Sequence, residues 1–326
     1  MIPMTETAVP HPIESAAPQA QAAPGWFRRA VDSDVFYSFR RSKLTMVAAA
    51  VALLFFLVAI FAPLLAVQNP FDPAQLQLMN SRIAPLWTPD GQSPYLLGTD
   101  EQGRDVLSAI LYGLRISLTV GVLGVLFSGT LGIVLGLIAG YVGGHVDSLI
   151  MRIADVQLTF PAILIALLVN GVVKSVFGDR LDAMSTLGLL VFAIGLSFWV
   201  QYARTVRGSV MVEKNRDYVA SAQLIGLPAP VILWRHILPN AMGPVLIIAT
   251  INLALAIITE ATLSFLGTGM PDTMPSLGTL IRIGNNYLFS GEWWIVAFPG
   301  FALAALILSI NLLGDWLRDA LNPKLR

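Results

Sequence analysis

Residues that could carry out chemistry are sparse in this sequence of 326 residues. A Walker A loop needs Gly-Lys-Ser/Thr after a glycine-rich turn, because its backbone amides must surround a phosphate. Each of the four lysines lacks the preceding glycine. The three histidines are scattered, and the chain contains no cysteine, which excludes thiolate ligands and a thiol nucleophile. The sequence therefore predicts no catalytic, cofactor or metal site in this chain.

Three charged residues lie in or beside long apolar runs, where charge is costly if the runs cross a membrane. Glu260 lies near the end of one run, and two interpretations stay open: a packing or capping group, or a residue of a transport pathway. Arg152 and Asp155 are three residues apart and share a helix face, so we expect a local ion pair that locks helix packing. A pathway role stays open for this pair too.

The composition places these residues in a lipid bilayer. The chain is 56% hydrophobic and 12% charged, whereas a soluble protein carries roughly 25% charged residues. Its mean hydropathy of +0.72 agrees. The formal net charge is zero, so the balance of charge indicates no nucleic-acid partner. Most soluble enzymes are thereby excluded.

Six apolar runs are long enough to cross the hydrocarbon core, which is roughly 30 Å thick. We therefore predict an all-α, polytopic membrane protein with six transmembrane helices. The predicted spans are 44–67, 116–140, 148–171, 186–205, 241–264 and 294–314. Gly132, Gly136 and Gly140 recur at four-residue spacing, which favours close helix packing, and Pro161 predicts a kink in the third span.

Charge asymmetry gives the orientation. With the N-terminus inside, 14 of the 20 lysines and arginines lie on the cytoplasmic side, as the positive-inside rule requires. We expect a bacterial cytoplasmic membrane protein with both termini in the cytoplasm, a disordered segment over 1–43, an outer loop over 68–115 and a cytoplasmic loop over 207–240. The outer loop has five acidic residues and three arginines, which suits either a rim for a basic partner or an ordinary solvated loop.

The cytoplasmic loop 207–240 has the pattern of a helix–turn–helix. A helix is expected from Tyr218 to Ile225, and Gly226 can adopt the positive φ that ends it. Pro228 and Pro230 suit the first turn of a second helix, which we expect Pro239 to bound. The apolar residues of this second helix would be exposed, and such a surface usually indicates a protein partner.

Four separated motifs resemble ABC importer permeases of the dipeptide, oligopeptide and nickel branch, over about residues 40–326. The first resembles their coupling loop and consists of Ala220, Ser221, Ala222, Gly226, His236, Leu238 and Pro239. Ala220 stands where that family usually has Glu, and His236 replaces the usual Ile, a variant familiar in this branch. The second motif precedes the second span and includes Gly98, Thr99, Asp100, Gly103, Arg104 and Asp105. The other two cover 259–267 and 313–319.

Two structural expectations concern the second motif. Thr99 and Gln102 have the spacing of a capping box, so a helix is expected to start near Asp100. Its apolar stripe would lie on the outer membrane surface and consists of Val106, Ile110, Leu111 and Leu114.

The resemblance implies the type I ABC importer permease fold and the partners of such a subunit. These are a homologous six-helix permease subunit, two ATP-binding subunits that hold ATP and Mg, an extracytoplasmic substrate-binding protein and the lipid bilayer. The implied cargo is a di- or oligopeptide, with nickel, muropeptide or opine-like substrates as alternatives. A secondary ion-coupled transporter and a non-transporting scaffold are the competing classes; the first would need inverted repeats or a chain of intramembrane carboxylates, neither of which the sequence contains.

Overall fold

The structure, a computed structural model, describes residues 34–177 and 182–321. Within these ranges the regular structure is helical and contains no β-strand, so the predicted all-α fold is confirmed. The α-helices are α1 (Asp34–Arg41), α2 (Lys43–Ile60), α3 (Ala62–Leu65), α4 (Val106–Val142), α5 (Gly144–Leu158), α6 (Ala162–Phe177), α7 (Ala183–Glu213), α8 (Asp217–Leu224), α9 (Ala229–Ile232), α10 (Leu238–Phe265), α11 (Leu277–Asn285) and α12 (Trp294–Ala320).

Five segments of the described chain are long and apolar enough to cross a membrane: α2, α4, α7, α12 and the continuous stretch Ala229–Phe265. Helices α5 and α6 together give a sixth if they are counted as one broken span, since they meet at 92°. The break lies beside Pro161, as predicted, because proline cannot continue the hydrogen-bond ladder of a helix. The protein is therefore a multi-pass membrane protein.

The centre of the bundle is the pairing of α4 with α7, which run side by side in the same direction. A Cβ added to Gly136 would lie 2.6 Å from the Ala203 carbonyl oxygen, and one added to Gly140 would lie 2.7 Å from Val210 Cβ. Any side chain would separate the two helices, so the glycine spacing serves close packing, as predicted. Helix α10 crosses α4 on another face, where Ile257 packs against Gly121.

Several predicted boundaries differ from the structure. Helix α4 begins at Val106, inside the predicted outer loop, and the stripe expected on the membrane surface is instead buried in the bundle. Helix α7 continues to Glu213, into the predicted cytoplasmic loop. We therefore call residues 66–105 the long loop and residues 214–237 the connector.

The predicted end of a helix at Pro239 is wrong. A π-helical turn over Leu233–Ile237 joins α9 to α10, and Pro239 lies in the first turn of α10. A proline ring clashes with the carbonyl four residues earlier in a regular helix, and the wider π turn relieves that crowding.

Part of the segment predicted to be disordered is helical. Helix α1 packs on the end of α12, where the rings of Phe39 and Trp316 meet edge to face at 5.2 Å. Ser42 then caps α2 by accepting a hydrogen bond from the Thr45 amide. Residues 1–33, which hold most of the predicted disordered segment, lie outside the described residues.

Candidate functional site

The connector contains the predicted helix–turn–helix. Helix α8 ends at Leu224, and Gly226, two residues later, has the positive φ of 83° that turns the chain. The Leu227 amide donates to the Ala222 carbonyl at 3.1 Å and closes the helix. Pro228 is the N-cap of α9, and Pro230 lies in its first turn, where a missing N–H leaves no hydrogen bond unmade.

The connector has a buried face and an exposed face. Val219 and Ile232 are almost fully buried and belong to the same apolar cluster as side chains of α4, α7 and α10. Leu224, Ile225 and Trp234 point away from the bundle with 89%, 78% and 57% of their surface exposed. The connector is thus attached firmly to the bundle while it presents large apolar side chains to its surroundings.

The residues of the first motif are distributed over both faces. Ala222 is buried, His236 and Leu238 are half-buried, and the exposed members are Ala220, Ser221, Gly226 and Pro239. Ser221 donates to the Asp217 carbonyl within α8 at 2.9 Å. Ala220, Ser221 and Gly226 are thus exposed on the same short segment as Leu224 and Ile225.

A second set of contacts fixes the connector, and no sequence spacing indicated it. The Tyr218 hydroxyl donates to Glu213 Oε2 at 2.6 Å and accepts from Asn240 Nδ2 at 3.1 Å. These contacts join the ends of α7, α8 and α10. Burial raises the pKa of the Tyr218 phenol, and its hydrogen bond to the Glu213 carboxylate raises this pKa further. The phenol therefore remains a donor at neutral pH.

Two ion pairs tie α5 to α7 near the connector, and they correct one prediction. Arg207 binds Asp147 with two hydrogen bonds, of which Nη2–Oδ2 measures 2.6 Å. Asp155 pairs with Arg204 of α7, so the predicted Arg152–Asp155 pair is wrong. Helices α5 and α7 lie side by side, and Arg204 therefore reaches Asp155 across the helix boundary, while Arg152 is exposed.

Glu260 lies at the junction of α4, α10 and α11, where its contacts favour the packing interpretation. Its side chain is fully buried and accepts hydrogen bonds from Ser117 Oγ at 2.8 Å and from Ser264 Oγ at 2.7 Å. The same two hydroxyls accept the backbone N–H groups of Leu277 and Met270. One carboxylate thus organises the start of α11 and the turn that follows α10.

The second motif forms a buried hydrogen-bonded cluster at the long-loop end of the bundle. Arg104 is 1% exposed; its Nε binds Asp100 Oδ2 at 2.6 Å and its Nη1 donates to the Asp272 carbonyl at 2.8 Å. Asp100 Oδ1 also accepts the amides of Gln102 and Arg104. These bonds, together with the positive φ of 75° at Gly103, keep the chain out of a helix here.

Asp105, rather than Thr99, begins the helix. Its Oδ2 accepts the Ser108 amide at 2.8 Å and caps α4, so the predicted start near Asp100 is wrong. Thr99 Oγ1 instead donates to the Asn80 carbonyl and accepts the Ile83 amide within the long loop. Gly98, with φ 83°, leaves no room for a side chain beside Trp294. Asp100 and Asp105 are buried, so neither contributes to an acidic rim.

Comparison with known proteins agrees with these motifs. Residues 132–326 match the family described as binding-protein-dependent transport system inner membrane component. Residues 33–85 match the N-terminal TM domain of oligopeptide transport permease C.

Curated relatives cover nearly the whole chain. The dipeptide transport system permease protein of Haemophilus influenzae is 36% identical, over 90% of this chain and 95% of that protein. The corresponding Escherichia coli protein is 39% identical, over 90% and 93%. An inward-facing structure of the MetNI methionine ABC transporter is 18% identical, over 66% of this chain and 96% of that chain, with a TM-score of 0.48. The chain therefore belongs to the family of binding-protein-dependent transport system inner membrane components, in the branch of the dipeptide and oligopeptide ABC importer permeases.

Proposed function

We propose that this chain is one permease subunit of an ATP-driven importer and forms half of its translocation pathway. The cargo is a di- or oligopeptide, as the names of the relatives indicate, and an extracytoplasmic binding protein delivers it. The chain acts by conformational change and holds no cofactor; ATP and Mg bind to two separate ATPase subunits. Nickel, muropeptide and opine-like cargo remain alternatives within the same class.

The connector is the observation that carries the proposal. Leu224, Ile225 and Trp234 form an apolar surface that is costly to leave in water. Its other face is buried in the bundle through Val219 and Ile232, so a push on the surface is transmitted to α4, α7 and α10. We assign Ala220, Ser221, Gly226 and Pro239 to the exposed side of this coupling segment, and Ala222, His236 and Leu238 to the side that holds it on the bundle. A partner whose two states contact it differently can shift the bundle between two conformations.

The proposed orientation places the connector and both termini in the cytoplasm. Arg204, Arg207 and Lys214 lie at the connector end of the bundle, which supports this side as the cytoplasmic one. The long loop then faces the binding protein on the opposite side.

A second, homologous six-helix permease subunit completes the pathway. Helix α6 supports such a partner, because Leu164, Leu168 and Val172 follow one another at helical spacing and are 52%, 66% and 54% exposed. An apolar stripe of this kind is covered in a membrane either by lipid or by another helix.

The test substitutes Gly226 in the complete importer reconstituted in liposomes. No atom lies within 4 Å of a Cβ added there, so a substitution acts through the backbone φ of 83° alone. Asparagine tolerates this conformation and valine does not. We expect Gly226→Val to abolish ATP-dependent peptide uptake and its stimulated ATPase activity, whereas Gly226→Asn retains most of both. Equal activity of the two variants would contradict the coupling role, and uptake driven by a proton gradient alone would contradict the proposed class.

A further inference from the structure

A groove of about 360 Å³ lies between α2 and α4 and combines an apolar floor with one cation. Its α4 side is formed by Arg115, Leu118, Val122 and Leu123, which recur at three- and four-residue spacing and so form one helix face. Arg115 lies at one end of this face, and the apolar residues continue from it along the helix toward the middle of the bundle.

The level of Arg115 in the membrane follows from α2. This helix rises about 27 Å over its 18 residues, close to the roughly 30 Å of a hydrocarbon core. Its last residue, Ile60, lines the groove together with Phe56, Ala59 and Arg115. The Arg115 guanidinium is therefore located where hydrocarbon gives way to headgroups, on the side of the long loop.

Arg115 has no anionic partner among the described residues. Its side chain is exposed, and no described carboxylate lies within ion-pair distance of it. An arginine at the edge of the hydrocarbon extends its guanidinium into the headgroup region. A guanidinium binds a phosphate through two parallel hydrogen bonds, which satisfies this charge.

We propose that this groove binds an anionic phospholipid from the leaflet on the side of the long loop. The headgroup phosphate binds Arg115, and one acyl chain lies along Leu118, Val122 and Leu123. A helix of another subunit would have to bring a carboxylate to this same depth, whereas a phospholipid places its phosphate there. In an anionic phospholipid no ammonium of the headgroup cancels the phosphate charge, so this class binds a guanidinium more strongly than a zwitterionic one. The inference is independent of the transported cargo and goes beyond the proposed function.

The test measures lipid retention by the full chain, purified with the subunits that accompany it, using native mass spectrometry. The probe is an equimolar mixture of phosphatidylglycerol and phosphatidylcholine. We expect Arg115→Gln to lower the ratio of bound phosphatidylglycerol to phosphatidylcholine about five- to tenfold. Arg82→Gln removes an equal charge from the long loop, away from the groove, and should leave this ratio unchanged.

A second pair of variants tests the apolar part of the groove. Thr119 and Thr130 both lie on α4, and each hydroxyl donates to the carbonyl four residues earlier at 2.7 Å. Only Thr119 lines the groove, so Thr119→Phe should reduce bound phosphatidylglycerol several-fold, whereas Thr130→Phe should not. Retention that is unchanged in Arg115→Gln or in Thr119→Phe overturns the proposal. Loss of another permease subunit from Thr119→Phe, with unaltered lipid selectivity, would assign the groove to that subunit and also overturn it.

Discussion

Replacing Glu260 tests whether this buried carboxylate is a packing group. In Glu260→Gln the side chain keeps one oxygen acceptor and loses the other, so one of the two serine hydroxyls, Ser117 or Ser264, loses its acceptor. Leaving a buried hydroxyl donor without an acceptor costs about 1–3 kcal/mol, and we expect a loss of stability in that range. Glu260→Ala removes both acceptors and leaves a cavity, so its loss should reach about 3–5 kcal/mol.

The assay is thermal unfolding of the purified protein, followed by tryptophan fluorescence. One kcal/mol corresponds to about 2–4 °C in Tm for chains of 150–250 residues, so Glu260→Gln should lower Tm by about 2–12 °C and Glu260→Ala by more. The matched control is Thr262→Val, since Thr262 lies on the exposed side of α10 and donates only to the Ile258 carbonyl. Its Tm should stay within about 2 °C of the unaltered protein.

A transport assay on Glu260→Gln distinguishes a packing role of Glu260 from a role in the transport pathway. A packing group predicts that Glu260→Gln lowers the amount of folded importer and leaves the KM for peptide unchanged. If Glu260→Gln had the same Tm as the unaltered protein while its KM for peptide rose, Glu260 would be a pathway residue and the packing argument would be refuted.

Three further predictions concern other contacts. Arg104→Met leaves Asp100 buried without its partner, so the free energy of unfolding should fall by about 3–5 kcal/mol in a thermal unfolding experiment. An unchanged Tm would show that the Arg104–Asp100 contact does not stabilise the fold. Gly136→Val inserts a side chain whose Cβ would lie 2.6 Å from the Ala203 carbonyl oxygen of α7; the folded yield in fluorescence-detected gel filtration should collapse, while Gly171→Val, at an open position, should retain it. The double variant Asp147→Arg/Arg207→Asp should regain part of the Tm that is lost in Asp147→Arg alone. Equal Tm values for the single and the double variant would exclude a direct ion pair.

Local features of the sequence were enough to predict the spans and the connector. An apolar run must be helical in lipid because its backbone groups find partners only within the segment, and this holds whatever lies beside it. The turn at Gly226 was predictable for a related reason, since a positive φ is a local property of one residue. Both predictions failed at boundaries, at Val106, Glu213 and Pro239; the Asp105 cap decides the first of these and a π turn the last.

Partners distant in the sequence were not predictable. Asp155 was assigned to Arg152, three residues away, but it pairs with Arg204 on another helix. The contacts of Tyr218 with Glu213 and Asn240 join three elements, and nothing in their spacing distinguishes them from solvated side chains. The two interpretations of Glu260 likewise both stayed open in the sequence, because only the packing of α4 against α10 brings the Ser117 hydroxyl to it.

The sequence by itself determined that this protein lies in a lipid bilayer, and it determined the helical spans, the connector and the family. Each of these depends on composition or on short motifs, which act within one segment of chain. The tertiary structure decided which charged and polar side chains have partners: Arg104, Asp147 and Glu260 are bound by residues distant in the sequence, whereas Arg115 faces a groove without an anionic partner. The physical reason is that the low dielectric of the membrane makes every charge depend on its nearest neighbours, and those neighbours are set by how the helices pack.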